Sequence, residues 1–489
     1  MSREAYDAIV VGAGPNGLAA AVTLARAGLA VRVYERNETP GGGARTSELT
    51  LPGFTHDVCS AVHPLAFASH FFREFGLTRR VEFVVPELSF AHPLDGGRAA
   101  LAWRDLERTA EGLGRDGAAY RSLMQPLVTH LRGVADFTGS ALLRVPADPI
   151  TALRFGLRAL EQGSPAWDAR FEEDLAPALL TGVAAHTILP LPSLAAAGAG
   201  LSLATYAHTV GWPIPRGGSQ AIITALVDDL VAHGGELITG HEVTSIDELP
   251  PARAVLLDVT PRALAELAGS RLPGRYVAAL DRFRYGNGVA KVDFALSGPV
   301  PWRDRELATA GTVHVGGTRA EIAAAENAVT RGMHPEAPYV LVSQPSVFDP
   351  GRAPAGQQSL WTYTHVPRGS NIDRAEAVTA QIERFAPGFR DTILATASST
   401  AVEVEAHNPN YVLGDISSGE PDVWQLLKRP VISRDPWRTP ARGVYLCGAS
   451  AAPGPGVHGL GGWYAALSAL KHEFGTRIRP DLSPREPRS

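Results

Sequence analysis

The chain has little cysteine for its length. Cys59 and Cys447 are the two cysteines among 489 residues, and they stand far apart in the sequence. A disulfide-stapled secreted domain needs several cysteines, and a dithiol that relays electrons needs a CxxC pair. The sequence provides neither, so both residues are expected to be small, buried and apolar.

Long apolar runs and basic blocks are also missing. No stretch reaches the roughly 18 apolar residues of a membrane-spanning helix, and the N-terminus lacks the pattern of a signal peptide. The formal net charge is −5 without a dense Lys/Arg cluster, so nucleic-acid binding is not expected. The 15 histidines show no metal-ligand spacing, and no metal site is predicted. These absences predict a cytoplasmic protein.

Length and composition indicate an ordinary globular protein with more than one core. Hydrophobic residues make up 45% and charged residues 19% of the chain, which is the balance of a folded protein. Since 489 residues exceed what one hydrophobic core usually supports, two domains are expected.

The N-terminal segment carries a strand–turn–helix pattern. Residues 8–11 (AIVV) are all apolar, as in a parallel strand buried on both faces. They lead into G-x-G-x-x-G, in which Gly12 permits a tight turn, Gly14 lets the backbone approach a diphosphate, and Gly17 lets helix and strand pack closely. An Ala-rich helix over residues 18–27 follows, ended by Gly28.

This pattern predicts a dinucleotide site. A second strand over residues 29–34 ends on Glu35, whose carboxylate can accept hydrogen bonds from ribose hydroxyls and disfavours the extra phosphate of NADP. The helix N-terminus offers free N–H groups and a positive dipole end to a diphosphate. The strand, helix and terminal acid all fall within one unit of about 30 residues, the context that supports the motif. A purely structural βαβ unit is the alternative.

Two further glycine-rich segments favour FAD over NAD. Residues 41–46 (GGGART) add flexible backbone and a cation, Arg45, that could enclose a diphosphate from the other side; a surface loop is the alternative. Near the C-terminus, a buried strand over residues 443–448 precedes a glycine-rich loop and a helix over residues 463–474. A helix dipole at this place suits the N1/C2=O end of an isoalloxazine ring, which becomes anionic on reduction.

These motifs resemble a known family. The segments GAGPNG, ER…GGGART and YLCGASAAPGPGVHGLGG are similar to those of the phytoene desaturase-like flavoproteins. Within that group they resemble the branch of the pyridine nucleotide-disulfide oxidoreductase domain 2 proteins. Residues 51–66, 215–246 and 407–422 fit the resemblance as well, so it touches both ends and the middle of the chain.

The resemblance implies a set of FAD contacts. Val243, expected on a strand over residues 242–246, would meet the adenine through its backbone, and Gly448, Val457, His458 and Gly459 would lie under the flavin. The complete predicted cofactor set is Gly12, Gly14, Pro15, Asn16, Gly17, Glu35, Arg36, Gly42, Gly43, Ala44, Arg45, Thr46, Val243, Gly448, Val457, His458 and Gly459.

The fold predicted from these segments is α/β, a Rossmann-type FAD-binding domain with an inserted α+β substrate domain. The FAD-binding domain is discontinuous, over residues 1–84, 211–284 and 436–489. Residues 85–210 and 285–435 form the substrate domain, expected to be an antiparallel sheet capped by helices. The uncharged residues 189–207 could line an apolar tunnel, lie on a membrane surface, or form a plain buried helix.

A single dinucleotide motif without a redox dithiol predicts direct hydride exchange between substrate and flavin. The resemblance implies desaturation or reduction of a carbon–carbon bond in a hydrophobic polyene or isoprenoid-like substrate. His458, His63 and Ser60 are candidates for handling the proton, although His458 could equally be a loop-packing residue bonded to backbone. The pattern does not indicate an oligomeric state.

Two other hypotheses remain open at this point. A flavin amine oxidase would want aromatic rings flanking the flavin, for which Trp361 with Tyr363 and Trp463 with Tyr464 are candidates. A non-catalytic flavoprotein that serves as an interaction subunit is the second.

Overall fold

A computed structural model describes residues 6–484. Residues 1–5 and 485–489, which the sequence assigns to the FAD-binding domain, lie outside the described part. The strands are β1 (Tyr6–Val11), β2 (Val31–Tyr34), β3 (Thr46–Glu48), β4 (Thr55–Asp57), β5 (Phe83–Val84), β6 (Leu88–Leu94), β7 (Arg98–Trp103), β8 (Ile214–Pro215), β9 (Glu236–Ile238), β10 (Ala252–Leu257), β11 (Gly288–Leu296), β12 (Ala310–Val315), β13 (Val340–Ser343), β14 (Gln358–Val366), β15 (Ile393–Ser399) and β16 (Val444–Leu446). The α-helices are α1 (Pro15–Arg26), α2 (Pro64–Ala68), α3 (His70–Phe75), α4 (Leu106–Gly112), α5 (Gly117–Thr129), α6 (Leu131–Thr138), α7 (Pro149–Gln162), α8 (Leu175–Ala184), α9 (Leu194–Ala207), α10 (Gln220–Ala232), α11 (Pro261–Ala268), α12 (Gly274–Leu280), α13 (Arg319–Thr330), α14 (Pro345–Phe348), α15 (Ala375–Phe385), α16 (Phe389–Thr392), α17 (Ala401–His407), α18 (Val423–Lys428) and α19 (Leu460–Glu473).

A five-stranded parallel sheet takes strands from the first, middle and last parts of the described chain. Its strand order is β16-β10-β1-β2-β9, and Val10 of β1 pairs with Val33 on one side and Leu256 on the other. Residues 8–10 are fully buried, because α1, α10 and α19 contribute to the core on one face and α11 and α12 to the core on the other. The predicted order of strand, glycine turn, helix and strand is thereby confirmed, and Glu35 directly follows β2.

A seven-stranded sheet lies in the remaining residues. Its order is β15-β11-β14-β13-β12-β6-β7, so it combines two strands from residues 85–210 with five from residues 285–435. The expected antiparallel arrangement holds for every neighbouring pair except β12 with β6, which is parallel. That pair joins the two chain segments. Such strands need no hairpin between them and are free to run in the same direction.

Some local predictions differ from the structure. Helix α1 begins at Pro15 rather than Leu18. No strand forms over residues 242–246, since the chain turns at Gly240 (φ +64°) and the His241 N–H donates to the Glu35 carbonyl, beyond the end of β2. The C-terminal helix begins at Leu460 rather than Trp463, because Gly459 adopts the left-handed conformation that sets the helix start. Among residues 6–484, no helix is long and apolar enough to cross a membrane.

Helices α1 and α19 pack closely at their N-terminal ends. A Cβ atom at Gly462 would overlap the carbonyl oxygen of Asn16, and one at Gly17 would overlap the carbonyl oxygen of Gly12. The Gly462–Asn16 contact therefore sets the distance between the two helices through backbone atoms, and the Gly17–Gly12 contact sets how closely α1 packs against the turn after β1.

Substituting Gly462 by alanine should separate these helices. We expect Gly462→Ala to lower the free energy of unfolding by about 1–3 kcal/mol, because the added methyl group meets backbone that can yield only by moving a helix. Denaturant unfolding followed by circular dichroism measures the change. Gly112→Ala is the matched control, since a Cβ atom there meets nothing within 4 Å. Equal stability of the two variants would contradict the packing argument.

Candidate active site

A cavity of about 790 Å³ extends from the glycine motifs to the helices of the second sheet. This volume is typical of a small-molecule site. Gly14, Asn16, Gly42, Gly43 and Val457 border it at one end. At the other end the walls come from α6, α7 and α9, through Ala135, Phe137, Phe155, Ala159, Leu160, Leu194, Ala195, Gly198, Leu203 and Tyr206.

Two glycine segments face each other at the motif end. A Cβ atom at Gly42 would lie 3.4 Å from the Cα atom of Gly14, and one at Gly43 would overlap the Tyr411 hydroxyl. Gly14 is the N-cap of α1. Pro15 has no N–H and the Gly17 N–H donates to Asp258, so the Asn16 N–H is the donor of the first helical turn that remains for a ligand. Backbone, rather than side chains, therefore forms this end of the cavity.

Within the described chain, two buried polar side chains near this end, Asn16 and Arg45, lack the protein partner that such a group usually has. The Asn16 side-chain oxygen is buried and has no hydrogen-bond partner among the described residues. The buried Arg45 guanidinium donates to the Gly42 carbonyl at 3.1 Å and contacts His407 Nε2 at 2.5 Å, yet within residues 6–484 no carboxylate forms an ion pair with it. A cation buried without an acid favours an anionic ligand. These residues fit the diphosphate of a dinucleotide.

Glu35 lies at the adjoining end of β2 and is only 6% exposed. Its carboxylate accepts from the Ala13 N–H at 2.9 Å and from the backbone and side-chain N–H groups of Asn37 at 2.9 and 2.8 Å. These bonds fix the carboxylate at the turn after β1, where a ribose would follow a diphosphate bound at Gly14.

Asp258 is a residue of this site that the sequence analysis missed. It follows β10, and its Oδ2 accepts from the Gly17 N–H of α1 at 2.8 Å. Burial raises the pKa of this carboxyl to about 7, and the nearby Glu35 carboxylate acts in the same direction, whereas the Gly17 bond opposes the shift. The carboxyl borders the cavity beside the diphosphate position. The sequence offers one clue to this residue, because the buried strand that becomes β10 is followed directly by a single acidic residue.

Ser60 and His63 meet at the cavity wall, as members of one hydrogen-bonded chain. Ser60 Oγ lies 3.5 Å from His63 Nδ1, His63 Nε2 lies 2.8 Å from Ser219 Oγ, and the Ser219 hydroxyl donates to the Ser60 carbonyl at 2.5 Å. Since the Ser219 proton is used there, His63 donates from Nε2, and Nδ1 is left as the acceptor. Burial lowers the pKa of His63 to about 4, so the ring is neutral at pH 7.

His458 borders the cavity, but both of its ring nitrogens are bonded to backbone. Nδ1 accepts from the Leu460 N–H at 3.0 Å, and Nε2 donates to the Gly454 carbonyl at 3.1 Å. Burial lowers the pKa of this ring to about 4. These are the contacts of the loop-packing alternative, and they hold the loop that precedes α19. A proton-transfer role for His458 stays a prediction.

One pair of the proposed aromatic residues lies in the cavity wall. Trp361 and Tyr363 both border it, with ring centroids 5.2 Å apart and planes at 88°. Trp463 and Tyr464 belong to the core around α1 and α19 instead. His186 also borders the cavity, and its Nε2 lies 2.8 Å from His314 Nε2.

Most of the other predicted contacts do not form the cavity wall. Thr46 donates to Asp57 and accepts from the Gln220 N–H, Val243 packs in the core near Tyr34, and a Cβ atom at Gly448 would lie 2.7 Å from Asp258 Oδ1. Pro15 is part of the wall. The members of the predicted set outside the wall are Gly12, Gly17, Glu35, Arg36, Ala44, Arg45, Thr46, Val243, Gly448 and Gly459.

A parallel sheet with a glycine turn, a second sheet and a cavity between them define an FAD-dependent oxidoreductase, with FAD as the cofactor. The chain belongs to the family of flavin containing amine oxidoreductases, whose pattern matches residues 16–460. A solved variant of putrescine oxidase has the same fold, with a TM-score of 0.59 at 16% identity over 95% of this chain and 99% of that one.

Two curated relatives refine the resemblance stated from the sequence. Pyridine nucleotide-disulfide oxidoreductase domain-containing protein 2 of Rattus norvegicus is 27% identical over 95% of this chain and 93% of its own length, which agrees with the resemblance to that branch. The zeta-carotene-forming phytoene desaturase of Myxococcus xanthus is 46% identical over 57 residues, or 12% of this chain. The resemblance to phytoene desaturases is therefore only partial, and the amine oxidoreductase family replaces it as the family of the chain.

Glu35 offers a test of the ribose contact. Glu35→Ala should weaken FAD binding by about 1–3 kcal/mol, because hydrogen bonds to a charged acceptor are lost. Titration of the apoprotein with FAD measures the affinity. Glu38→Ala is the matched control, since Glu38 is an exposed acid on the same segment. Equal affinities of the two variants would contradict the assignment.

Asp258 predicts a pH dependence of FAD binding. A diphosphate beside this carboxyl raises its pKa further by like-charge repulsion, so binding takes up a proton. Affinity should therefore be highest below about pH 7 and fall as the pH rises through that value. The Glu35 carboxylate, the Gly17 N–H and the buried Cys447 thiol are the groups coupled to Asp258.

FAD titrations on both sides of that pH measure the effect, and Asp258→Asn removes the titrating group while keeping an acceptor for Gly17. A flat profile for the wild type, or the same slope in the variant, would contradict the prediction.

Proposed function

We propose that this protein oxidises or reduces a carbon–carbon bond of a long hydrophobic substrate, such as a polyene or an isoprenoid. FAD, when bound, supplies the hydride acceptor or donor at N5.

The composition of the cavity wall carries this proposal. Among the described residues that border it, none is Lys or Arg, and Asp258 at the diphosphate end is the only acid. Helix α9 contributes Leu194, Gly198 and Leu203 and has no charged residue. A wall without charge favours an apolar substrate, since a charged group there would be desolvated without a partner.

The protein's own residues would exclude water and hold one proton. The apolar side chains of α6, α7 and α9 keep the cavity dry, which strengthens every remaining polar contact inside. His63 Nδ1 is a neutral acceptor at the wall, and Ser219 and the Ser60 carbonyl fix the opposite side of the ring. Oxidation of a C–C bond releases a proton as well as a hydride, and His63 is the group positioned to receive it.

Amine oxidation is the second candidate, and one observation favours it. Trp361 and Tyr363 border the cavity and could flank a bound amine with their rings. The two rings stand at 88° on one strand, so they do not form parallel walls. The lack of an acid on that side of the cavity gives an ammonium group no partner.

Anaerobic stopped-flow spectroscopy of the FAD-bound protein separates the two candidates. Polyenes or isoprenoids should exchange electrons with the bound flavin in one direction, and a panel of amines should not. His63→Gln should slow the reaction about a hundredfold and change its pH profile without weakening FAD binding. The matched control is His334→Gln, a histidine outside the cavity. Rapid bleaching by amines, with no response to any unsaturated lipid, would replace the proposal by amine oxidation.

A further inference from the structure

Helix α7 presents a row of apolar side chains to the surface. Ile150, Leu153, Leu157 and Leu160 are 64%, 64%, 58% and 57% exposed, and their spacing of three or four residues places them on one face of the helix. Thr151, Phe155, Ala159 and Gln162 form the buried face instead. Contiguous exposed apolar residues of this kind mark an interaction surface.

This row is continuous with the cavity. Leu160 and Leu194 belong to the cavity wall and are nevertheless 57% and 38% exposed, so the cavity opens beside α7. A second segment of the wall has the same character. Val423 and Leu426 of α18 border the cavity, while Trp424 on the same helix is 76% exposed and Ile432 is 78% exposed. We call these two segments, residues 142–162 and 421–434, the rim.

Among the described residues, several basic side chains in and beside the rim have no ion-pair partner, whereas the acidic ones are bonded. The acids of the rim and the adjacent Asp136 are engaged: Asp136 pairs with Arg144, Glu161 with Arg170, and Asp422 with Arg284. Asp148 caps α7 by accepting from the Thr151 N–H at 3.0 Å. Arg154, Lys428 and Arg434 in the rim, with the adjacent Arg132, have no ion-pair partner within 4 Å in the described part of the chain. The rim is therefore locally cationic, although the chain has a net charge of −5.

We propose that the rim docks on the surface of an anionic lipid bilayer, so that substrate enters the cavity from the hydrocarbon phase. The role of the docking rests on the proposed function, because only a water-insoluble substrate needs such an entrance. An apolar helix face flanked by cations, with an exposed tryptophan, is the composition of an interfacial lipid-binding surface. If the rims of two copies met in a symmetric dimer instead, the unpaired cations of both rims would lie together and repel each other.

Vesicle sedimentation of the full-length, FAD-bound protein tests the docking. The wild type should sediment with vesicles of phosphatidylcholine and phosphatidylglycerol, and less with phosphatidylcholine alone or at high salt. The double variant Leu153→Gln with Leu157→Gln should lower the partition coefficient roughly tenfold or more. Arg154→Gln with Arg434→Gln leaves the apolar row intact and should also lower it roughly tenfold.

Val231→Gln with Leu394→Gln is the matched control, since both residues are exposed (57% and 47%) and lie outside the rim. Unchanged FAD absorbance shows that each variant is folded. Absence of wild-type binding, or an equal loss in the control, would overturn the proposal, as would a dimer in light scattering that the leucine variant dissociates. Sedimentation needs no turnover, so an inactive protein that still binds vesicles would contradict the proposed function alone.

Discussion

The close approach of backbone to backbone at the N-terminal ends of α1 and α19 is the constraint on which the site depends. Gly17 against Gly12 and Gly462 against Asn16 leave no room for a Cβ atom. The two helix ends can therefore converge on one cavity, and each brings a positive dipole end. A larger side chain at either contact would move a helix, and with it the part of the cofactor site that the helix forms.

The chain path follows from this constraint. The sheet that supports both helices takes β1 and β2 from the start of the chain, β9 and β10 from the middle and β16 from the end. The long segments between these strands build the second sheet and the apolar helices, which cover the cavity on the far side. A single cavity thus has a backbone-lined end, suited to a cofactor, and an end lined by apolar side chains, suited to a substrate.

What the sequence predicts well is local. The strand, glycine turn and helix at residues 6–26, and Glu35 after β2, lie within one contiguous unit, so periodicity and turn chemistry suffice to find them. Contacts between distant segments cannot be found in this way. Asp258 meets the Gly17 N–H across 241 residues and Ser219 meets His63 across 156, and both contacts depend on which strands become neighbours. The strand predicted over residues 242–246 fails for another reason. Its composition suits a strand, but the turn at Gly240 directs the chain past the end of β2.

Burial also decides how charge is distributed along the cavity. It lowers the pKa of His63, His186 and His458 to about 4, 3 and 4, so none of these rings is charged at pH 7. Among the described residues of the wall, Asp258 is then the one carboxylic acid, and burial raises its pKa to about 7. Formal charge inside the cavity would come chiefly from the cofactor's diphosphate, opposite Arg45 and the N-terminus of α1. Because the far wall offers no countercharge, a charged substrate would pay the full cost of desolvation there. Under the proposed function, an apolar chain would fill that end of the cavity and displace water from it.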